Sequence, residues 1–310
     1  MNRKSIVPFL CSFLILGGAF CSMDFRGASA ASRAKTLILY DAASGSIPGV
    51  PLISFTDFPP GAALPTYLNG VTVMDTTAAG NDTYAGWVSN GTTTPGFPIL
   101  DRTAGFQVNF SIHVELASHE SPHRAGFSVI VLGADAKGVE LAFWENEIWA
   151  QSDDATGGLF RHGEGVAFAT TAGLTDYQVT IVDDTYTLTA NADPILSGPV
   201  RDYSAFDGFP DPYETPNFLF LGDDTTSAQA RVQLSFISVT GTEPAAPTST
   251  ITVVSTSTPA PIASSTPLPS ATPAPSPTPV GRALQSCPSA WIFLTAIFVT
   301  PRSIKKIRAG

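Results

Sequence analysis

The residues best suited to chemistry crowd into one stretch, Gly138-Val-Glu-Leu-Ala-Phe-Trp-Glu-Asn-Glu-Ile-Trp-Ala-Gln151. Glu140, Glu145 and Glu147 supply carboxylates, Trp144 and Trp149 supply indole rings, and Gln151 supplies an amide. Exposed rings stack on the apolar faces of sugars, and carboxylates, amides and guanidinium groups hold hydroxyls, so this mixture suits carbohydrate binding. The competing reading is that both Trp rings merely cover the hairpin and cap a core. Glu145 and Glu147 are two residues apart and can face together as a catalytic pair, but they flank a turn, where carboxylates are usually solvated.

Metal chemistry has thinner support. His119-Glu-Ser-Pro-His123-Arg124 spaces two imidazoles four apart, a helical metal-pair spacing, but Ser121-Pro122 marks a loop. Asp223-Asp224 and Asp153-Asp154 offer hard oxygen ligands without the defined loop of a calcium hand, so Ca²⁺ is the one cofactor the sequence allows. No Gly-rich phosphate loop and no Gly-x-Ser-x-Gly elbow occurs.

The elements that must position these groups are strands. Phe106, Val108, Phe110, Ile112 and Val114 alternate with Gln107, Asn109, Ser111, His113 and Glu115, a long strand with one buried face. Similar runs cover 36–40, 71–74, 126–132, 139–144, 177–182, 186–190, 218–221 and 230–239. Turn signals such as Asn69-Gly70, Asn90-Gly91 and Asp183-Asp184 separate them. No stretch has a helical period with caps. The pattern predicts an all-β chain, an antiparallel two-sheet β-sandwich or a barrel. Residues 138–151 then form a hairpin turning at Glu145-Asn146, with Leu141, Phe143, Ile148 and Ala150 inward. Glu140, Ala142, Trp144, Glu147, Trp149 and Gln151 occupy the other face.

Both ends of the 310 residues read as addresses. A basic start, the apolar run Ile6–Phe20 and Ala28-Ser29-Ala30 predict a signal peptide over 1–30. The sandwich is expected over 31–242. It carries 8 Lys and Arg against 24 Asp and Glu, a formal charge of −16, which argues against nucleic-acid binding. Residues 243–281 are a Pro/Thr/Ser/Ala-rich stalk, reaching up to ~100 Å at ~3.1 Å per residue. Residues 282–310 combine a short apolar segment with a basic tail, an expected anchor or sorting signal toward membrane or cell wall. Cys11 and Cys21 leave with the signal peptide, so only Cys287 remains and the domain folds without a disulfide.

The phrases Arg124-Ala-Gly-Phe-Ser-Val, Glu140-Leu-Ala-Phe-Trp-Glu-Asn-Glu-Ile-Trp-Ala-Gln151, His162-Gly-Glu-Gly and Phe209-Pro-Asp-Pro-Tyr-Glu-Thr-Pro-Asn-Phe-Leu-Phe-Leu-Gly-Asp-Asp224 resemble bacterial exported "choice-of-anchor" proteins. The strand order, the hairpin and the closing pair 218–239 look like a concanavalin A-like (laminin G-like) jelly roll. The resemblance covers Thr36 to Thr242 and implies two antiparallel sheets and a surface location, but no established activity. By that fold analogy Arg124, His162, Arg201, Tyr203, Asp211 and Tyr213 line the same rim as Glu140, Trp144, Trp149 and Gln151. The Glu-x-Asp-x-Glu strand of the laminarinase-like branch is absent, because residues 140–144 read Glu-Leu-Ala-Phe-Trp.

The expectation is an exported, C-terminally anchored, non-catalytic module on the extracellular face of the envelope, binding a glycan or other surface polymer. A glycoside hydrolase or polysaccharide lyase using Glu140, Glu145 or Glu147 is one alternative, and a structural envelope protein is another.

Overall fold

The computed structural model describes residues 33–244 apart from 79–82, 155 and 209. The chain divides into two units, 1–249 and 250–310, and every described residue belongs to the first. The expected signal peptide, the apolar segment and nearly all of the stalk lie outside the described residues.

Alternation and short apolar runs produce strands here, and among the described residues there are fifteen. They are β1 (Ala34–Asp41), β2 (Ser54–Phe58), β3 (Thr66–Leu68), β4 (Val71–Asp75), β5 (Tyr84–Asn90), β6 (Phe106–His119), β7 (Ser128–Leu132) and β8 (Gly138–Phe143). The rest are β9 (Glu147–Gln151), β10 (His162–Ala167), β11 (Thr175–Val182), β12 (Thr185–Ala190), β13 (Asp193–Pro199), β14 (Phe218–Asp223) and β15 (Ala228–Thr242). One sheet runs β13-β12-β11-β6-β15-β4-β3, with β1 also on β15; the other runs β10-β9-β8-β7-β14-β5-β2. All pairings are antiparallel, and the two sheets pack as a β-sandwich.

The first sheet buries one face. Phe106, Val108, Phe110, Ile112 and Val114 of β6 point into the core, and β15 matches them with Val232, Leu234, Ile237 and Val239. Leu234 and Ile237 are three apart instead of two because the register shifts between Leu234 and Phe236, a bulge that keeps the apolar side inward.

The second sheet is buried on both faces. Every residue of β7, β8 and β14 is buried, which explains why they read as continuous apolar runs instead of alternating ones. Val129, Val131, Leu141, Phe143, Leu219 and Leu221 face the sandwich core. Ile130, Leu132, Phe218 and Phe220 face outward into a second cluster with Phe160, Tyr203 and Tyr213. The segments 152–161 and 201–217 therefore roof the outer face. Each large side chain fully buried there contributes roughly 1.5–3 kcal/mol.

The roof is tied down at Gly138. Its N–H donates to the Arg201 carbonyl at 3.0 Å, and the Arg201 N–H donates back at 2.7 Å. Such close approach excludes a side chain: a Cβ on Gly138 would lie 1.8 Å from the Val131 carbonyl oxygen. Gly138→Ala is expected to cost about 2 kcal/mol or more, read as a lower urea midpoint with an unchanged slope. An unchanged midpoint would show that the tie is dispensable.

Candidate functional site

Roof and sheet do not close completely. Between them lies a cavity of about 550 Å³, within the ~300–1,000 Å³ range of small-molecule sites. Its floor is Ile130, Phe218, Phe220 and Glu140, and its walls are Phe160, Phe206 and Tyr213. Asp57, Phe58 and Tyr84 from the β2–β5 side also line it, as do Arg124 and Asp224.

Glu140 stands on β8 beside Ile130 of β7, outward-facing as the alternation requires and only 3% exposed. Its Oε2 accepts a 2.6 Å hydrogen bond from the Tyr213 hydroxyl. The Asp211 carboxylate accepts the Tyr213 N–H at 3.1 Å, an Asx turn that aims that phenol. Asp224, just past β14, lines the same cavity, and its charge bears on Glu140. Burial pushes the Glu140 carboxyl well above the ordinary carboxylate range, and the Asp224 charge pushes it further. Burial also raises Asp224, against the opposing pull of the Ser128 hydroxyl and Arg124. Burial and the neighbouring acid thus make it costly for both carboxyls to ionise together.

The neighbours of the pair are fixed. Arg124 donates to the carbonyls of His123 (2.9 Å) and Phe160, and its guanidinium lies 5.4 Å from the Phe160 ring centroid. Phe160 has φ 58°, an uncommon conformation for a bulky residue, and this wall residue of the cavity holds its ring over Tyr203 and Tyr213.

Three expected site residues are structural. Tyr203 is fully buried; its hydroxyl accepts the Glu140 N–H at 3.1 Å and donates to the Gln151 carbonyl at 2.8 Å. It thus continues the ladder where direct β8–β9 pairing stops at Leu141 and Ala150. Arg201 is spent on the Gln151 carbonyl and on Glu164, whose other oxygen accepts from Tyr186. Gln151 is 1% exposed and donates to the His123 carbonyl.

The hairpin expectation needs correction. β8 and β9 turn at Glu145-Asn146 and bury Leu141, Phe143, Ile148 and Ala150 as expected. The indoles, however, are not open platforms. Trp149 is fully buried, stacked on His162 with centroids 4.4 Å apart and edge-on to Trp144 at 4.3 Å. One face of Trp144 is taken by His119 at 4.0 Å, and its Nε1 donates to the Arg124 carbonyl. The four rings form a ladder that packs beside Ala125 and Ala142, because the outer face is interior here. Glu147 pairs with His162 at 3.0 Å, and Glu145 accepts the Ala117 N–H, so the two carboxylates do not face one cleft.

The residues of each acidic pair turn to different partners. Asp223 accepts from the Thr76 hydroxyl at 2.6 Å while Asp224 turns to Glu140. Asp153 accepts the Asp202 N–H, and Asp154 closes a turn on Thr156. Among the described residues no three Asp, Glu, His or Cys converge as metal ligands, and Ca²⁺ needs six to eight oxygens.

Of the expected residues, the cavity gathers Glu140, Arg124 and Tyr213. Asp224, expected only as a calcium ligand, joins them with Phe160, Phe206 and Phe220, which sequence reasoning did not select. Their one sequence signal is the density of aromatics in Tyr203-Ser-Ala-Phe206 and Tyr213–Phe220.

The raised carboxyls make stability pH-dependent. Above about pH 4.3 the folded state holds a proton that the unfolded chain releases, so stability is lost as pH rises through the folded value. Glu140→Gln keeps an acceptor for Tyr213 and offers Asp224 a donor. The variant is expected to melt higher than the parent at pH 8 and nearly level with it at pH 4. A thermal-unfolding series showing the same difference at both values would contradict the assignment.

No protein-family model matches the chain, and no curated protein does. Solved structures do. A carbohydrate esterase from Shiga toxin-encoding bacteriophage phi24B is 11% identical, aligning 67% of this chain with 100% of its own at a TM-score of 0.42. Alginate lyase A1-II′, a member of polysaccharide lyase family-7, is 15% identical over 69% of this chain and 96% of its own, with a TM-score of 0.39. A protein of unknown function from Shewanella oneidensis MR-1 is 13% identical over 68% and 86%, with a TM-score of 0.40. These are likenesses to β-sandwich proteins, and the chemistry of this site rests on its own residues.

Proposed function

We propose that the chain is an exported, surface-held, non-catalytic module that binds a glycan through the outer-face cavity. The observation that carries this reading is the composition of that cavity: aromatic walls from Phe160, Phe206 and Tyr213 over polar groups of Glu140, Asp224 and Arg124. A sugar ring presents the complementary surface, apolar C–H faces edged by hydroxyls. The export and anchoring part of the reading is supported by the sequence signals at 1–30, 243–281 and 282–310.

Glycan-array screening followed by calorimetry tests the proposal. Phe206→Ala is expected to weaken the best array ligand at least tenfold, while Trp144→Ala lowers thermal stability with affinity within about twofold. Binding that survives Phe206→Ala but disappears in a still-folded Trp144→Ala would move the site to the hairpin. Turnover of any polysaccharide that Glu140→Gln abolishes would overturn the non-catalytic reading.

A further inference from the structure

The cavity is unbalanced in charge and in the character of its walls. Its lining holds four carboxyls, Asp57, Glu140, Asp223 and Asp224, against one guanidinium, Arg124, whose charge bears on both Glu140 and Asp224. Arg124, the basic residue of the lining, is committed to two backbone carbonyls and to the Phe160 ring. Glu140 is 97% removed from solvent yet lines the cavity; one of its oxygens is satisfied by Tyr213, and the charges of Asp224 and Arg124 act on it in opposite directions. That is an arrangement completed by a cation from outside.

The walls suit the same guest. Phe160, Phe206 and Tyr213 meet one another at centroid distances of 5.1 to 5.5 Å, so the rings form one aromatic corner of the cavity that the carboxyls also line. Ring faces carry negative quadrupole potential and hold alkylammonium groups, with ~0.5–1 kcal/mol per contact when exposed and ~2 or more when desolvated. A bare metal ion does not fit this set, because it needs oxygen ligands where these walls offer carbon. The surrounding domain carries a formal charge of −16 over 31–242, which draws cations toward the mouth.

Given the reading of the cavity as a ligand site, the geometry points to an organic ammonium as the group it selects, seated between the Glu140–Asp224 pair and the rings of Phe160, Phe206 and Tyr213. An amino sugar with a free amine carries that group on a glycan; a choline-type headgroup carries it without one. A choline-type guest, whose charge is fixed, competes with protonation of the two carboxyls, so its binding releases a proton and tightens as pH rises, whereas an amino sugar must also keep its own amine protonated. The charged and titratable groups that bear on the pair are Arg124 ahead of β7, Tyr203 and Tyr213 from the roof, and Asp223 on β14, with Asp57 of β2 on the cavity lining.

Calorimetry on the full chain with four probes decides the matter. Choline is compared with its neutral carbon isostere 3,3-dimethyl-1-butanol, and glucosamine oligomers with neutral cello-oligosaccharides. Each cationic probe is expected to bind at least tenfold tighter than its neutral counterpart. Choline, whose charge is fixed, should gain about tenfold in affinity from pH 5 to pH 8, and Glu140→Gln and Asp224→Asn should each remove that preference. Thermal unfolding of both variants confirms that they remain folded. Equal affinity within each pair overturns the ammonium inference while leaving glycan binding intact if both oligosaccharides bind. Choline binding without any oligosaccharide binding upholds the inference and removes the glycan reading. No binding by any probe overturns both.

Discussion

The outer face of the seven-stranded sheet is covered by its own chain, and the character of the site follows from that burial. An antiparallel sheet can leave one face to water. Here the segments 152–161 and 201–217 lie on it, held by the Gly138–Arg201 bridge and by Arg201 itself, which joins the Gln151 carbonyl to Glu164. The cover turns positions that alternation would make solvent-exposed into interior ones. Trp149 thereby becomes a packing residue, and Glu140 an acid in a low-dielectric cavity.

The same constraint explains why a polar side chain at the centre of a buried strand is tolerated. A carboxylate alone there would cost several kcal/mol of desolvation. Tyr213 offsets part of that by donating to Oε2, and the raised protonation of Glu140 and Asp224 lessens the need to hold two charges. Part of the desolvation cost remains, and it is strain that a ligand can relieve. Stability and binding are opposed at Glu140, as they commonly are where a site is built into a core.

Most of the interior of the fold was legible in the sequence, although β5, paired with both β14 and β2, was not read. β6 announced itself by strict alternation, and β7, β8 and β14 by short apolar runs, since each is paired on both sides. The strands that went unread include the ends of both strand orders, β13, β3, β10 and β2. β13 carries Pro194, Gly198 and Pro199, and β10 carries Gly163 and Gly165, residues that weaken a strand signal and that edges accommodate. The hairpin faces were assigned correctly from period two. What the roof does to them was illegible, because Tyr203, Phe206 and Tyr213 lie in an irregular segment whose landing place is fixed only by contacts 60 to 75 residues away in sequence, such as Tyr203 with Glu140 and Tyr213 with Glu140. Glu140, Arg124 and Tyr213 were therefore named as site residues without the carboxyl partner or the ring walls that give them a common purpose.

The central claim is that Glu140 and Asp224 are carboxyls raised by burial in one cavity and open to a cationic guest. Carbon-13 NMR titration of the Glu140 side-chain carboxyl, with and without saturating choline, tests it most directly. The account predicts an inflection well above the ordinary Glu range in the free protein and a downward displacement when choline is bound. An inflection near the ordinary value of about 4.3, unmoved by choline, would contradict it.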